Sequence, residues 1–94
     1  MNVVLLPDAE RDLLDAIEWY GRASASLGDQ FEVEFYDAIN RILENPELFA
    51  ENSSGFRACP TKRFTSVVYF RIDEKVIVIV RILVNGREDQ SVAE

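Results

Sequence analysis

The stretch Arg57-Ala-Cys-Pro-Thr-Lys-Arg-Phe-Thr-Ser-Val-Val-Tyr-Phe-Arg-Ile72, followed by Val76–Val84, decides the fold. Phe64–Ile72 and Val76–Val84 are apolar, rich in β-branched residues, and read as strands. Asp73-Glu74-Lys75 between them reads as a tight hairpin turn, although it lacks the usual glycine. Phe56–Pro60 reads as a shorter strand, with Pro60 suited to an edge or an end. Three such runs joined by short loops predict an antiparallel meander. Arg57, Lys62, Arg63, Arg71, Arg81 and Arg87 fall in or beside these strands. Arginine inside a small sheet needs an anion or a route to water, so this cluster predicts a binding surface.

Upstream, the pattern changes. Asn2–Leu6 reads as a first strand. Pro7 suits the first position of a helix, with Asp8 and Glu10 in the turn where acids complement the dipole. Ala9, Leu13, Ala16, Ile17 and Tyr20 repeat at helical spacing to about Arg22, and Asp8, Asp12, Asp15 and Glu18 lie on other faces. Gly21 weakens the end of this helix. Ser26-Leu-Gly-Asp29 resembles a capping box with Asp in place of Glu. Phe31, Phe35, Ala38, Ile39, Ile42 and Leu43 form the stripe of a second helix, which Asn45-Pro46 ends. The joint between the helices is short, which predicts a helical hairpin. The order is β-α-α-β-β-β: an α+β domain with the hairpin packed on a small antiparallel sheet, one domain over residues 1–94.

Composition narrows the chemistry. The chain has 94 residues, one cysteine and no histidine. Ser-His and Cys-His nucleophile pairs and histidine-ligated zinc are therefore excluded. No internal disulfide is possible, and Cys59 reads as a small buried hydrophobe. No cofactor or metal is expected. No apolar run approaches ~18 residues, so no membrane span is expected. The N-terminus lacks the basic region of a signal peptide, which makes the cytoplasm the simplest location. The net charge is −7, unevenly spread. Residues 1–51 hold twelve acids and three bases, a net of −9; residues 52–94 hold five acids and seven bases, a net of +2. Such a chain repels nucleic acid at long range, so no direct nucleic-acid partner is expected.

The order of elements and several local phrases resemble the RelE/ParE superfamily of bacterial toxins. The phrases are Asp12-Leu13 and Glu18-Trp-Tyr20, then Leu27-Gly-Asp-Gln-Phe31 and Glu44-Asn-Pro46. They continue through Lys62-Arg-Phe64, Val68-Tyr-Phe-Arg71 and Asn85-Gly-Arg87. The resemblance implies a toxin of a type II toxin–antitoxin system, wrapped and silenced by a cognate antitoxin. RelE-like members cut mRNA on the ribosome, and ParE-like members poison DNA gyrase. RelE-like cleavage resembles acid–base chemistry by Lys, Arg and a late Tyr, which makes Lys62, Arg63, Tyr69, Arg81 and Arg87 the catalytic candidates. The chain departs from that pattern. Ser66 stands near the position of a RelE-like strand arginine, Asn85 stands where histidine is common, and no tyrosine follows Arg87. The departures favour a ParE-like toxin acting on gyrase. The alternatives are a ribosome-dependent mRNA endonuclease and an inactive toxin-fold binding protein.

Strand alternation suggests where a partner sits. Phe64, Ser66, Val68, Phe70 and Ile72 form the more apolar set and should face the helices, leaving Val67, Tyr69 and Arg71 on the open side. In Val76–Val84 the alternating set Ile77, Ile79, Arg81 and Leu83 carries the arginine and should share the Tyr69 face. An apolar face carrying two arginines invites a cover, unless those arginines pair with Asp73, Glu74 or Glu88. Partner-binding candidates are therefore Trp19, Tyr69, Arg71, Ile79, Arg81 and Leu83. The helical acids read as a mainly solvated face.

Overall fold

A computed structural model describes residues 1–84. The two helices come first. Pro7 at the first position, Asp8 and Glu10 in the first turn and Arg22 in the last all suit α1, Pro7–Ala23. Ala9, Leu13 and Ala16 are its buried stripe, with Ile17 and Tyr20 packed against the core. The helix runs straight through Gly21. Only Ser24 separates it from α2, Ala25–Glu44. Ser24 is extended; its N–H donates to the Tyr20 carbonyl, and its own carbonyl accepts from Leu27 and Gly28. One residue thus closes α1 and opens α2. The expected capping box at Ser26–Asp29 is not used: the helix begins earlier, and no side chain caps it.

So tight a joint needs a close crossing. A Cβ on Gly28 would lie 2.8 Å from the Ile17 carbonyl and 3.3 Å from the Gly21 Cα, so only glycine fits there. Phe31, Phe35, Ala38, Ile39 and Ile42 are the buried stripe of α2, and Asn45 caps it before Pro46. A single 3-10 turn, Pro46–Leu48, follows.

The strands are β1 Asn2–Leu5, β2 Arg57–Pro60, β3 Ser66–Asp73 and β4 Val76–Val84. They form one sheet in the order β1-β4-β3-β2. The meander β2-β3-β4 is antiparallel, as expected, and Pro60 ends the edge strand β2. The sheet is nevertheless mixed, because β1 pairs with β4 in parallel. The helical hairpin supplies the crossover that a parallel pairing requires. Glu74 takes the positive φ of +57° in the turn between β3 and β4, where glycine is usual.

A β-bulge sets which side chains enter the core. Tyr69 lies opposite Arg81 but Phe70 lies opposite Ile79, which leaves Val80 unmatched on β4. Ile77 and Ile79 therefore join Val68 and Phe70 in the core beneath the helices; beyond the bulge Ile82 and Val84 do so. The expectation that Ile77 and Ile79 share the open face with Tyr69 is overturned. Strict alternation fails because one extra residue shifts its phase. Phe35, Ile42, Val68 and Phe70 are core, as the sequence indicates.

Candidate functional site

Away from the helices the sheet presents a mainly apolar face. Val4 of β1 is exposed, and Val67, Tyr69 and Arg71 of β3 and Leu83 of β4 are half-buried. Register pairs Val67 with Leu83 and Arg71 with Val78, and Val4 flanks Val78 from the other side. Three of the expected partner-binding residues, Tyr69, Arg71 and Leu83, thus share one surface. Ile79 does not belong to it, being 0% exposed in the core.

Arg81 has a different fate from the one its sequence position suggests. It lies in the bulge, and its guanidinium forks onto Asp12 of α1: Nε donates to Oδ2 at 2.6 Å and Nη2 to Oδ1 at 3.1 Å. The backbone N–H of Ile82 also donates to Asp12 Oδ2, at 2.9 Å. Among the described residues the last main-chain bond from the β1 side is Leu6 N–H to the Ile79 carbonyl, and beyond it no described strand pairs with that edge of β4. Asp12 fills that gap. Among the described residues the first helix thus supplies a carboxylate to Arg81, while Glu88 lies outside them. Asp12 was read as solvent-facing; only the β4 edge brought over it reveals its role.

Lys62 and Arg63 sit in the loop between β2 and β3. Two buried hydroxyls hold this loop in shape. Thr61 Oγ1 donates to the Phe64 carbonyl at 2.7 Å, and Thr61 and Ser66 hydroxyls meet at 2.6 Å. Phe64 packs against both Tyr20 and Phe31, with ring centroids 4.6 and 5.4 Å away. Ser66 is therefore a buried hinge of the loop, where an arginine would have no room for its charge. The backbone N–H groups of Lys62 and Arg63 both donate to Glu34 Oε1, at 3.0 and 3.1 Å. The Arg63 guanidinium donates to Gln30 Oε1 at 3.0 Å. Lys62 Nζ stands 4.0 Å from Asp37, whose carboxylate also receives Arg41. Glu34 carried no sequence signal; its role follows from the loop folding back on α2.

Among the described residues the catalytic candidates are not assembled around one point. Arg81 is held by α1, Lys62 and Arg63 by α2, and Tyr69 stands on the open sheet face. Arg87 and Asn85, like the polar end Gln90–Glu94, lie outside the described residues. Among the described residues no three His, Cys, Asp or Glu side chains are placed to hold a metal ion, and no helix is long and apolar enough to cross a membrane. Cys59 is buried, and burial raises its thiol pKa, which keeps it protonated and unreactive.

Trp19 stands apart on α1, 43% exposed. The Arg22 guanidinium lies 5.5 Å from its ring centroid, and both line a cleft of about 380 Å³ with Tyr20 and Ala23. Tyr20 itself stacks on Phe31 and belongs to the core edge.

Residues 3–88 match the family model described as the ParE toxin of the type II toxin–antitoxin system, parDE. The fold is similar to a chain of the chromosomal ParDE TA system from P. aeruginosa. The TM-score is 0.75 at 19% identity, over 87% of this chain and 92% of that one. No curated protein matches the sequence significantly.

Proposed function

Since the chain belongs to the ParE toxin family of type II toxin–antitoxin systems, we propose that it arrests growth by disabling DNA gyrase in the cytoplasm and that a cognate antitoxin silences it by covering the open sheet face. The observation that carries the second part is the face itself. Val4, Val67, Tyr69 and Leu83 share this face with a guanidinium, that of Arg71. An antitoxin segment that is disordered alone satisfies both demands of this surface. Its apolar side chains cover the valines and Leu83, and a carboxylate meets Arg71 in a forked pair. Trp19, exposed on α1, suits a second anchor for the same segment.

The scatter of Lys62, Arg63, Tyr69 and Arg81 over separate supports favours action by binding rather than by acid–base cleavage, which needs its groups within hydrogen-bond reach of one reacting centre. The test is inducible expression of the chain alone and with the antitoxin encoded beside it, together with supercoiling by purified gyrase. Growth arrest relieved by the antitoxin, and inhibited supercoiling, are the expected results. Normal supercoiling beside cleavage of mRNA in a reconstituted translation reaction would transfer the protein to the nuclease reading.

A further inference from the structure

We propose that the Lys62–Arg63 loop is a receptor for a carboxylate borne by a protein partner, and that Glu34 occupies it as an internal plug. Two successive backbone N–H groups converging on one atom form a concave anion site. Here that atom is Glu34 Oε1, at 3.0 Å from the Lys62 nitrogen and 3.1 Å from that of Arg63. The loop is stiff without Glu34, because Thr61, Ser66 and Phe64 fix it from within. The amides therefore keep their convergence when the plug leaves.

The surroundings suit an incoming acid. Arg63 meets the neutral amide of Gln30, and among the described residues no carboxylate oxygen lies within 4.0 Å of its guanidinium. Its charge is thus left for an entering anion to neutralise. Lys62, with 64% of its side chain exposed, can swing to the same point. A cleft of about 180 Å³ opens alongside, lined by Gln30, Val33, Glu34 and Arg63 with Asp29. Val33 is 67% exposed and offers an apolar wall for the residue next to the acid. Exchange is inexpensive, since a half-exposed hydrogen-bonded contact contributes little net energy. A carboxylate is favoured over a phosphate because the loop already accepts one, while Asp29 and Asp37 stand near enough to repel a doubly charged group.

The site is separate from the open sheet face, and its test uses neither antitoxin nor toxicity. The amide resonances of Lys62 and Arg63 are followed by NMR during titration with sodium acetate and, separately, inorganic phosphate. A plug in place about 90% of the time weakens an external ligand about tenfold. Glu34→Ala should therefore bind acetate at least about tenfold more tightly than the native chain, with saturable shifts at both amides. Arg63→Gln added to Glu34→Ala should remove most of that gain. Unchanged acetate affinity in a folded Glu34→Ala chain overturns the proposal. So does tighter binding of phosphate than of acetate, which would make the loop a phosphate site. If Glu34→Ala does not fold, Glu34→Gln is the variant measured, and it too must bind acetate more tightly than the native chain for the proposal to stand.

Discussion

Asp12 of the first helix and Arg81 of the last strand form a forked ion pair, with Nε and Oδ2 2.6 Å apart, and the same carboxylate accepts the N–H of Ile82. One side chain therefore neutralises a charge in the bulge and satisfies the strand edge that β1 is too short to cover. Asp12→Ala removes the acceptor that the Arg81 guanidinium and the Ile82 N–H share. It should destabilise the fold by about 2–3 kcal/mol, less than a fully buried pair because Arg81 is partly exposed. Denaturant melts of Asp12→Ala, Arg81→Ala and the double variant would check this. The two single effects should not add, and full additivity would mean that the pair is not coupled.

If the antitoxin covers the open sheet face as proposed, Arg71 is a guanidinium it meets there. Tyr69→Ala and Arg71→Ala should each weaken antitoxin binding by about tenfold or more while leaving the thermal melt nearly unchanged. Calorimetric titration with the neighbouring antitoxin measures this. Equal affinities for native and variant chains would place the antitoxin elsewhere.

The two glycines of the helical hairpin should respond in opposite senses. A methyl group on Gly28 runs into the Ile17 carbonyl, so Gly28→Ala should cost about 1–3 kcal/mol by prising the helices apart. A Cβ on Gly21 meets nothing within 4 Å, and the position is helical. Gly21→Ala should therefore stabilise the protein by about 0.5–1 kcal/mol. Paired thermal melts decide it; a loss at Gly21 would mean that the joint needs its flexibility.

Phe35 is 1% exposed at the centre of the core. Phe35→Ala should cost roughly 3–5 kcal/mol, a large share of what a domain of this size possesses. A loss below about 1 kcal/mol in urea would contradict its placement.

Cys59 should resist alkylation at neutral pH. Burial raises its pKa, the Arg41 guanidinium opposes this, and Asp37 adds to it. The folded chain thus favours the protonated thiol. That contribution is fully present below the thiol's unfolded pKa and is lost as pH rises through the raised folded value. The stability of Cys59→Ala should decline less steeply at alkaline pH than that of the native chain. Parallel pH-dependent melts would show it, and identical slopes would rule out a buried thiol as their source.

The elements themselves were legible in the sequence. The apolar stripes of α1 and α2, the stops at Asn45-Pro46 and the boundaries of β4 all rest on spacing within a few residues. The side of β3 that meets the helices was legible too, since Val68 and Phe70 alternate cleanly with Tyr69 and Arg71. Ser26 misled because a serine three residues before an acid is a capping signal only if the helix has not already begun.

By itself the sequence determined which segments are helical, which are extended and which of their residues are apolar, because each depends on neighbours along the chain. Tertiary structure alone decided the rest. It set β1 parallel to β4, put one unmatched residue at Val80 and so buried Ile77 and Ile79. It also gave Arg81 to Asp12 and the Lys62–Arg63 loop to Glu34. These outcomes join residues far apart in sequence. A charged side chain takes whichever counter-ion the packing brings within a few ångströms, and no local pattern of residues encodes that distance.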